Sequence, residues 1–327
     1  MKKRGIGYGS LFFPLGLGLG RYDISMASAQ LNEDGTVMIL TGVADIGQGS
    51  SEIFAMIAAE ELGLLTEDFT VVSADTATTP YGGPTTASRA TMVTGNAVKN
   101  AVSDLKQSLL AGAAELLEAV PADIGIKNRI IYQKGSKTDL SIPDLAGYCY
   151  RKGKKYIGVG MMDATTTVLD SETGQGGGFF SFTYGTQAAE VEVDTETGDV
   201  TVLRLVAAHD VGKAINPTGV EGQIEGGVVM GLGQTMMEEV ILDQGKPITR
   251  SLFEYLIPTI KDVPPIVSLI VEEEEPKGPF GAKGVAEPPT VGVAPAIINA
   301  IYNAVGIRLT ELPVRPEKVL QLLKEKG

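Results

Sequence analysis

Apolar and polar residues alternate with a period of two in several short stretches, and these stretches predict β-strands. Ile24 to Gln30 and Val37 to Leu40 alternate in this way around Glu33-Asp34-Gly35, a strong hairpin signal. Ala188 to Val193 and Val200 to Ala207 repeat the pattern around Glu196-Thr197-Gly198. A further strand is predicted from Phe69 to Ser73. Elsewhere the period becomes helical. Ile53, Met56, Ile57 and Leu64 mark an apolar face for a helix from about Ser50 to Leu62, with Ser50 and Ser51 as N-cap candidates and Glu52 in the first turn. Ala90, Val93, Ala97, Ala101, Leu105 and Leu109 predict a longer helix from about Thr86 to Leu117, stopped by Pro121. Val293 to Val305 and Pro316 to Lys326 predict two more.

The pattern repeats. Each hairpin is followed by Asp-x-Gly, first Asp45-Ile46-Gly47 and then Asp210-Val211-Gly212, and each of these by a helix. Two similar lobes are expected, residues 1–175 and 176–327, with the boundary near Gly174 to Gly178. The implied fold class is α+β, each lobe a mixed or antiparallel sheet with helices packed on it. Asn216-Pro217 supplies a cap and a proline at the first turn of the second-lobe helix. That helix nevertheless contains Gly219, Gly222, Gly226, Gly227, Gly231 and Gly233. A glycine inside a helix costs ~1 kcal/mol relative to alanine. Six of them need a reason, and either tight packing or close approach by a cofactor supplies one.

Composition narrows the function. With 327 residues and 43% hydrophobic content, the chain can build one large or two medium domains. A net charge of −13 disfavours nucleic acid and anionic membranes as partners. No apolar run is long enough to span a bilayer. Leu11-Phe12-Phe13, behind the basic start, is too short for a signal peptide and is broken by Pro14, so a cytoplasmic location is expected. Cys149 is the only cysteine, which excludes an internal disulfide and an iron–sulfur cluster held by this chain alone. His209 is the only histidine, so no zinc or iron site with ordinary ligand spacing can be written. Both read as structural residues. Gly16-Leu17-Gly18-Leu19-Gly20 leads into a strand rather than a helix and is not a dinucleotide fingerprint.

The candidate chemistry lies in short segments. Gly47-Gln48-Gly49 opens a predicted helix, where backbone N–H groups and the helix dipole suit a phosphate or oxyanion. Gln48 is placed to donate to an oxo group on a metal. Thr85, Thr86, Ala87, Ser88 and Arg89 form a second such start, where small side chains admit a ligand and Arg89 suits a pyrophosphate. A plain glycine-rich turn is the alternative for the first segment, and structural capping for the second. Gly222-Gln223-Ile224-Glu225-Gly226 lies in the glycine-rich helix. Lys283-Gly284-Val285-Ala286-Glu287-Pro288-Pro289 sets one carboxylate before two prolines. Pro288 biases Glu287 away from helix, and the following chain is expected to be extended. A rigid backbone holding one acid suits a general base, and a surface turn is the alternative. Tyr8, within Gly5-Ile6-Gly7-Tyr8-Gly9, can stack on a flat ring or fill a core.

In this order, over nearly the whole chain from about Gly5, the segments resemble the cofactor-binding half of the molybdenum hydroxylases, the xanthine dehydrogenase and aldehyde oxidoreductase family. The resemblance implies a molybdenum held by a pterin dithiolene, with no metal ligand from the chain itself. It implies that Gly47, Gln48, Gly49 and residues Thr85, Thr86, Ala87, Ser88 and Arg89 contact the pterin and its pyrophosphate. It implies that Gln223, Lys283 and Gly284 bind the cofactor, that Glu287 is the base and that Tyr8 faces the substrate. The family often has threonine after that ring, and Gly9 stands here, so substrate specificity does not carry over.

The implied reaction inserts water-derived oxygen at an electron-poor carbon of an N-heteroaromatic compound. Electrons leave through partner [2Fe–2S] and FAD subunits to NAD(P). Molybdopterin cytosine dinucleotide is the expected form of the cofactor. The family's upstream Gly-Gly-x-Phe-Gly-Gly and Arg-Gly-Phe/Tyr-Gly loops are missing, so a large molybdopterin subunit is expected to complete the site. Such a division resembles the medium molybdopterin subunit of bacterial nicotinate dehydrogenase and makes nicotinate the expected substrate. Three alternatives stand. One is a non-catalytic scaffold that clamps the cofactor, another a xanthine, purine or aldehyde-oxidising relative, and the third an unrelated interaction protein.

Overall fold

A computed structural model describes residues 1–326. Strands β1 (Lys2–Leu15), β2 (Ile24–Leu31) and β3 (Val37–Thr41) open the chain, followed by helix α1 (Ser50–Leu62) and strand β4 (Phe69–Ser73). Helix α2 (Gly95–Leu116) leads into the short strands β5 (Ile124–Lys127), β6 (Ile130–Gln133) and β7 (Ser136–Lys137). Helix α3 (Ile142–Arg151) and strands β8 (Ile157–Asp163), β9 (Ser181–Asp194) and β10 (Val200–Asp210) come next. After helix α4 (Pro217–Met236) stand a small hairpin, β11 (Leu242–Asp243) and β12 (Lys246–Pro247), and then β13 (Ile266–Val271). Helices α5 (Pro288–Val291), α6 (Val293–Val305) and α7 (Pro316–Lys326) close it. The fold is α+β, and no helix among the described residues is long and apolar enough to cross a membrane.

Two compact units share the chain. A central unit takes Pro14–Ser181 and Glu273–Gly284, and a terminal unit takes Met1–Phe13, Phe182–Glu272 and Val285–Gly327. The chain therefore passes between the units at 181/182, near the single cut expected at about residue 175, and at three further places. β1 joins the terminal unit because it lies beside β9 in that sheet. Residues 273–284 return to the central unit, where Glu275 accepts a hydrogen bond from the Ser181 hydroxyl and Pro279 packs on Gly95. Periodicity along the chain carries no record of such distant pairings.

Both units follow one plan. In the central unit the strand order is β4-β3-β2-β8. β2 and β3 form the predicted antiparallel hairpin, with Ala29 opposite Ile39, and α1 leads to β4, which runs parallel to β3. In the terminal unit the order is β1-β9-β10-β13. β9 and β10 form the hairpin, with Ala189 opposite Leu205, and α4 leads to β13, parallel to β10. The alternating pattern does its work in each sheet. Ala27, Ala29, Leu31, Val37 and Ile39 are buried in the first, and Val191, Val193, Leu205 and Ala207 in the second, where Ile224, Val228, Ile297 and Ile301 join the same core.

The two edge strands repeat one device. A Cβ added at Gly158 or Gly160 of β8 would stand 2.0 Å from the Ala101 carbonyl oxygen or 2.2 Å from that of Ala97, both on α2. At Gly5 or Gly7 of β1 it would stand 2.3 Å from the Ala300 oxygen or 2.4 Å from that of Ala296, both on α6. Only glycine admits backbone contact this close. Asn100 Nδ2 then donates to the Met161 carbonyl at 3.0 Å, and Asn299 Nδ2 to the Tyr8 carbonyl at 2.9 Å.

Two helix starts differ from expectation. α2 is preceded by a π-helical turn, Ala90–Thr94, and residues 86–89 are not helical. Ala87 and Ser88 have φ of 53° and 47°, left-handed values that a right-handed helix cannot continue through. The N-cap of α1 is Gly49, φ 75°, and Ser50 is its first helical residue. The buried face of α1 centres on Phe54, Ile57 and Ala58, with Ile53 and Met56 half-buried.

Candidate functional site

In the central unit, loops 42–49 and 80–89 meet on one oxygen atom. The Ala44 carbonyl accepts from Thr85 Oγ1 at 2.8 Å and from Gln48 Nε2 at 3.1 Å. Gly42 packs on the Pro80 carbonyl, and a Cβ at Gly284 would stand 1.9 Å from the Ser88 carbonyl oxygen. Three segments read from sequence as cofactor-binding, 47–49, 85–89 and 283–284, are thus brought together within this unit. Lys283 and Gly284 are buried, and Thr86 is exposed.

The first segment needs correction. Its N–H groups do not simply await an anion, because Asp45 supplies one. Asp45 Oδ1 accepts from Gly47 N at 3.0 Å and Gly49 N at 3.3 Å, and Oδ2 from Ser51 N at 3.1 Å. Partial burial works to raise the Asp45 pKa, but these N–H groups and the Ser51 hydroxyl outweigh it and hold the carboxyl below its ordinary 3.8. Gln48 is turned inward. Its Nε2 reaches Ala44 O and Ser50 Oγ, and its Oε1 accepts from Ile46 N at 2.6 Å. In this arrangement the amide braces its own loop instead of pointing outward. Space remains beside it, since nothing lies within 4 Å of a Cβ added at Gly47 or Gly49.

Arg89 is corrected more sharply. It is fully buried and forms an ion pair with buried Asp23, Nε to Oδ1 at 2.5 Å. Nη1 donates to the carbonyls of Gly82 (2.8 Å) and Pro84 (3.1 Å), and Nη2 to that of Ile24 (3.1 Å). A guanidinium so occupied cannot also clamp a pyrophosphate; it holds the 80–89 loop. The Gly16–Gly20 run finds its purpose here. Leu17 N donates to Asp23 Oδ2 at 2.7 Å, Gly16 N donates to the Ala87 carbonyl, and Gly16, Gly18 and Gly20 all have positive φ. Asp23 carried no sequence signal, lying alone at the mouth of a predicted strand.

In the terminal unit, Tyr8 is 63% exposed on β1 and is not a core aromatic. Its strand is pressed onto the α5–α6 turn, where a Cβ at Gly9 would stand 2.3 Å from the Gly292 carbonyl oxygen. Glu287 is half-buried at the head of α5. The expectation of extended chain fails here. Glu287 is the N-cap with φ −87° and ψ −34°, and Pro288 and Pro289 take the first two helical positions. Those positions need no N–H, and the ring fixes φ near the helical value, which outweighs the pre-proline bias. Thr290 N closes the turn on the Glu287 carbonyl at 3.0 Å.

α4 sorts its glycines by face. Gly227 and Gly231 pack on the α5–α6 segment, with added Cβ atoms at 2.7 Å from Pro289 Cβ and 2.8 Å from the Thr290 oxygen. Gly222 and Gly226 are exposed with nothing within 4 Å, and half-buried Gln223 lies between them. Tight packing therefore accounts for Gly227 and Gly231, and it does not account for Gly222 and Gly226. Within the central unit, the open positions at Gly47 and Gly49 and the exposed Thr86 leave room for a polar ligand.

Comparison with known proteins identifies the family. The sequence pattern of the molybdopterin cofactor-binding domain matches residues 1–264. The chain is 31% identical over 329 residues to the xanthine dehydrogenase molybdenum-binding subunit of Escherichia coli O157:H7, covering 98% of this chain and 42% of that protein. It is 33% identical over 304 residues to the nicotine 6-hydroxylase large subunit of Paenarthrobacter nicotinovorans, covering 91% and 36%. The crystal structure of quinoline 2-oxidoreductase from Pseudomonas putida 86 matches with a TM-score of 0.86 at 28% identity, over 99% of this chain and 42% of that one. The chain belongs to the molybdenum hydroxylase family of molybdenum-containing oxidoreductases, and its fold is that family's molybdopterin cofactor-binding region. It spans less than half the length of these relatives.

Proposed function

We propose that this chain is the molybdopterin-binding subunit of a multi-subunit hydroxylase and that Glu287 is its general base. The observation that carries the reading is the Glu287 turn. A half-buried carboxylate stands at the head of a proline-fixed helix that is packed against the strand bearing exposed Tyr8. When bound, the molybdenum–pterin group supplies a centre that takes up the two electrons of the oxidised carbon. Glu287 accepts a proton on its carboxylate as water-derived oxygen is made nucleophilic. Tyr8 offers its ring face to a flat heteroaromatic substrate. Gly47, Gly49, Thr85, Thr86, Ala87, Ser88, Gln223, Lys283 and Gly284 would hold the cofactor, Gln48 braces the loop of the first two, and Arg89 shapes the loop that carries four of them.

An N-heteroaromatic substrate such as nicotinate is the reading supported by the nicotine- and quinoline-oxidising relatives. Molybdopterin cytosine dinucleotide is the proposed cofactor. [2Fe–2S] and FAD subunits, a large molybdopterin subunit, NAD(P) as acceptor and a cytoplasmic site complete the proposal. Phe253 and Ile260, 95% and 89% exposed, support a surface covered by another chain.

The test is Glu287→Gln, co-expressed with the partner subunits, with hydroxylation measured per molybdenum bound. Turnover is expected to fall by about 100-fold or more with molybdenum retained. Unchanged turnover per molybdenum would instead make the chain a cofactor clamp and move the base elsewhere.

A further inference from the structure

Gln187 of β9 and His209 of β10 are buried side by side in the terminal unit, 1% and 0% exposed. Gln187 Nε2 stands 2.5 Å from the Pro289 carbonyl oxygen and 3.0 Å from His209 Nε2. A carbonyl oxygen only accepts, so the atom facing it must be the amide nitrogen, and its two N–H bonds serve both partners. His209 Nε2 is then an acceptor, and the imidazole is neutral with its proton on Nδ1. Burial pushes its pKa down to about 4, in keeping with a neutral ring.

The pair is retained at a cost. Gln187 Oε1 and His209 Nδ1 have no hydrogen-bond partner, and an unpaired buried polar atom is destabilising. Glycines make room for both. An added Cβ would stand 2.9 Å from Gln187 Oε1 at Gly292, and 2.5 Å from His209 Nδ1 at Gly185, which lies opposite His209 in the sheet. A core built for stability alone would fill these positions with apolar side chains. The turn they touch is only four residues long, and the prolines fix its φ angles without tying it to the rest of the unit.

We infer that Gln187, oriented by His209, is a positioning residue that grips the Pro289 carbonyl and so fixes where the Glu287 carboxylate stands. The inference deepens the assignment of Glu287 as base and rests on it for its effect on turnover.

Three variants test it. Gln187→Leu keeps bulk and loses the donors, His209→Leu loses the acceptor, and His209→Gln keeps one. In the full chain, amide hydrogen exchange across residues 287–296 is expected to rise in Gln187→Leu and His209→Leu and to stay near the parent level in His209→Gln. In the assembled enzyme, Gln187→Leu is expected to lower kcat per molybdenum by about tenfold with KM little changed, since misplaced catalytic groups lose rate steeply. In a Glu287→Gln background it should have no further effect.

Unchanged exchange in Gln187→Leu overturns the inference, whatever Glu287 does. So does equal behaviour of His209→Leu and His209→Gln, or an equal loss of turnover with and without Glu287. If Glu287→Gln alone leaves turnover intact, the base assignment fails, and the exchange result still decides whether Gln187 holds the turn.

Discussion

Ala87-Ser88-Arg89 and Ala286-Glu287-Pro288 occupy the same place in two copies of one frame. Each precedes a helix whose asparagine, Asn100 or Asn299, ties down a glycine-bearing edge strand. Ser88 and Glu287 each lie twelve residues before that asparagine. The two turns are made rigid by different means. In the central unit the lock is a buried charge. Arg89 meets Asp23 and three carbonyl oxygens, and Asp23 accepts from Leu17 as well. A buried ion pair persists only when its remaining donors and acceptors are met, so this side chain is consumed by structure. In the terminal unit the lock is neutral, two prolines and a glutamine amide. It leaves two polar atoms unmatched, which a neutral site tolerates and a charged one would not. It also leaves Glu287 only half-buried, whereas Arg89 is wholly enclosed.

The strongest way to break this comparison is to remove one charge. Arg89→Met strands Asp23 in the core, and the central unit should lose about 3–5 kcal/mol in denaturant unfolding. Arg89→Lys should not restore it, because an ammonium cannot reproduce the planar fork. A loss below about 1 kcal/mol would show that the ion pair does not hold the turn.

The neutral lock should instead reveal itself by pH. His209 titrates at about 4 in the folded chain against an ordinary 6.5, so between these values the unfolded chain binds more protons. Stability from this residue is complete above about pH 6.5 and is lost as pH falls towards 4, by up to about 3 kcal/mol. Urea unfolding at the two ends of that window measures it. His209→Gln should flatten the dependence, and an unchanged slope would remove His209 as its source.

The smallest effect concerns the helix behind the neutral lock. Gly226→Ala meets nothing and should stabilise the chain by about 1 kcal/mol. Gly227→Ala presses on Pro289 and should destabilise it by about 1–3 kcal/mol. Thermal unfolding yielding the same sign for both would contradict the two-faced packing of α4.

Much of the frame was legible beforehand. The two hairpins, α1, β4, α6 and α7 follow from periodicity and turn residues, which act over a few positions. The repeat was visible because both hairpins are followed by Asp-x-Gly and a helix. The site was legible as a set of segments, and less so as individual roles. Arg89 looked like an anion binder and is buried, Gln48 looked like a donor to a ligand and braces its own loop, and Glu287 looked extended and caps a helix. Each error has the same origin. A side chain's role depends on what surrounds it, and Asp23, Asp45 and the Ala44 carbonyl lie at distances that no local pattern encodes.

Local order is therefore written in the chain itself. Strand alternation, helical spacing, proline at helix starts and glycine where backbones touch are properties of neighbouring residues, and the ordered segments were enough to point to a molybdenum hydroxylase. Which charges are buried, which glycines pack and which remain open, and which carboxylate keeps a face to solvent were settled only by folding. β1 and residues 273–284 reach their partners across long stretches of chain. Desolvation then decides which groups are taken up by structure, because a group removed from water must find its partners inside.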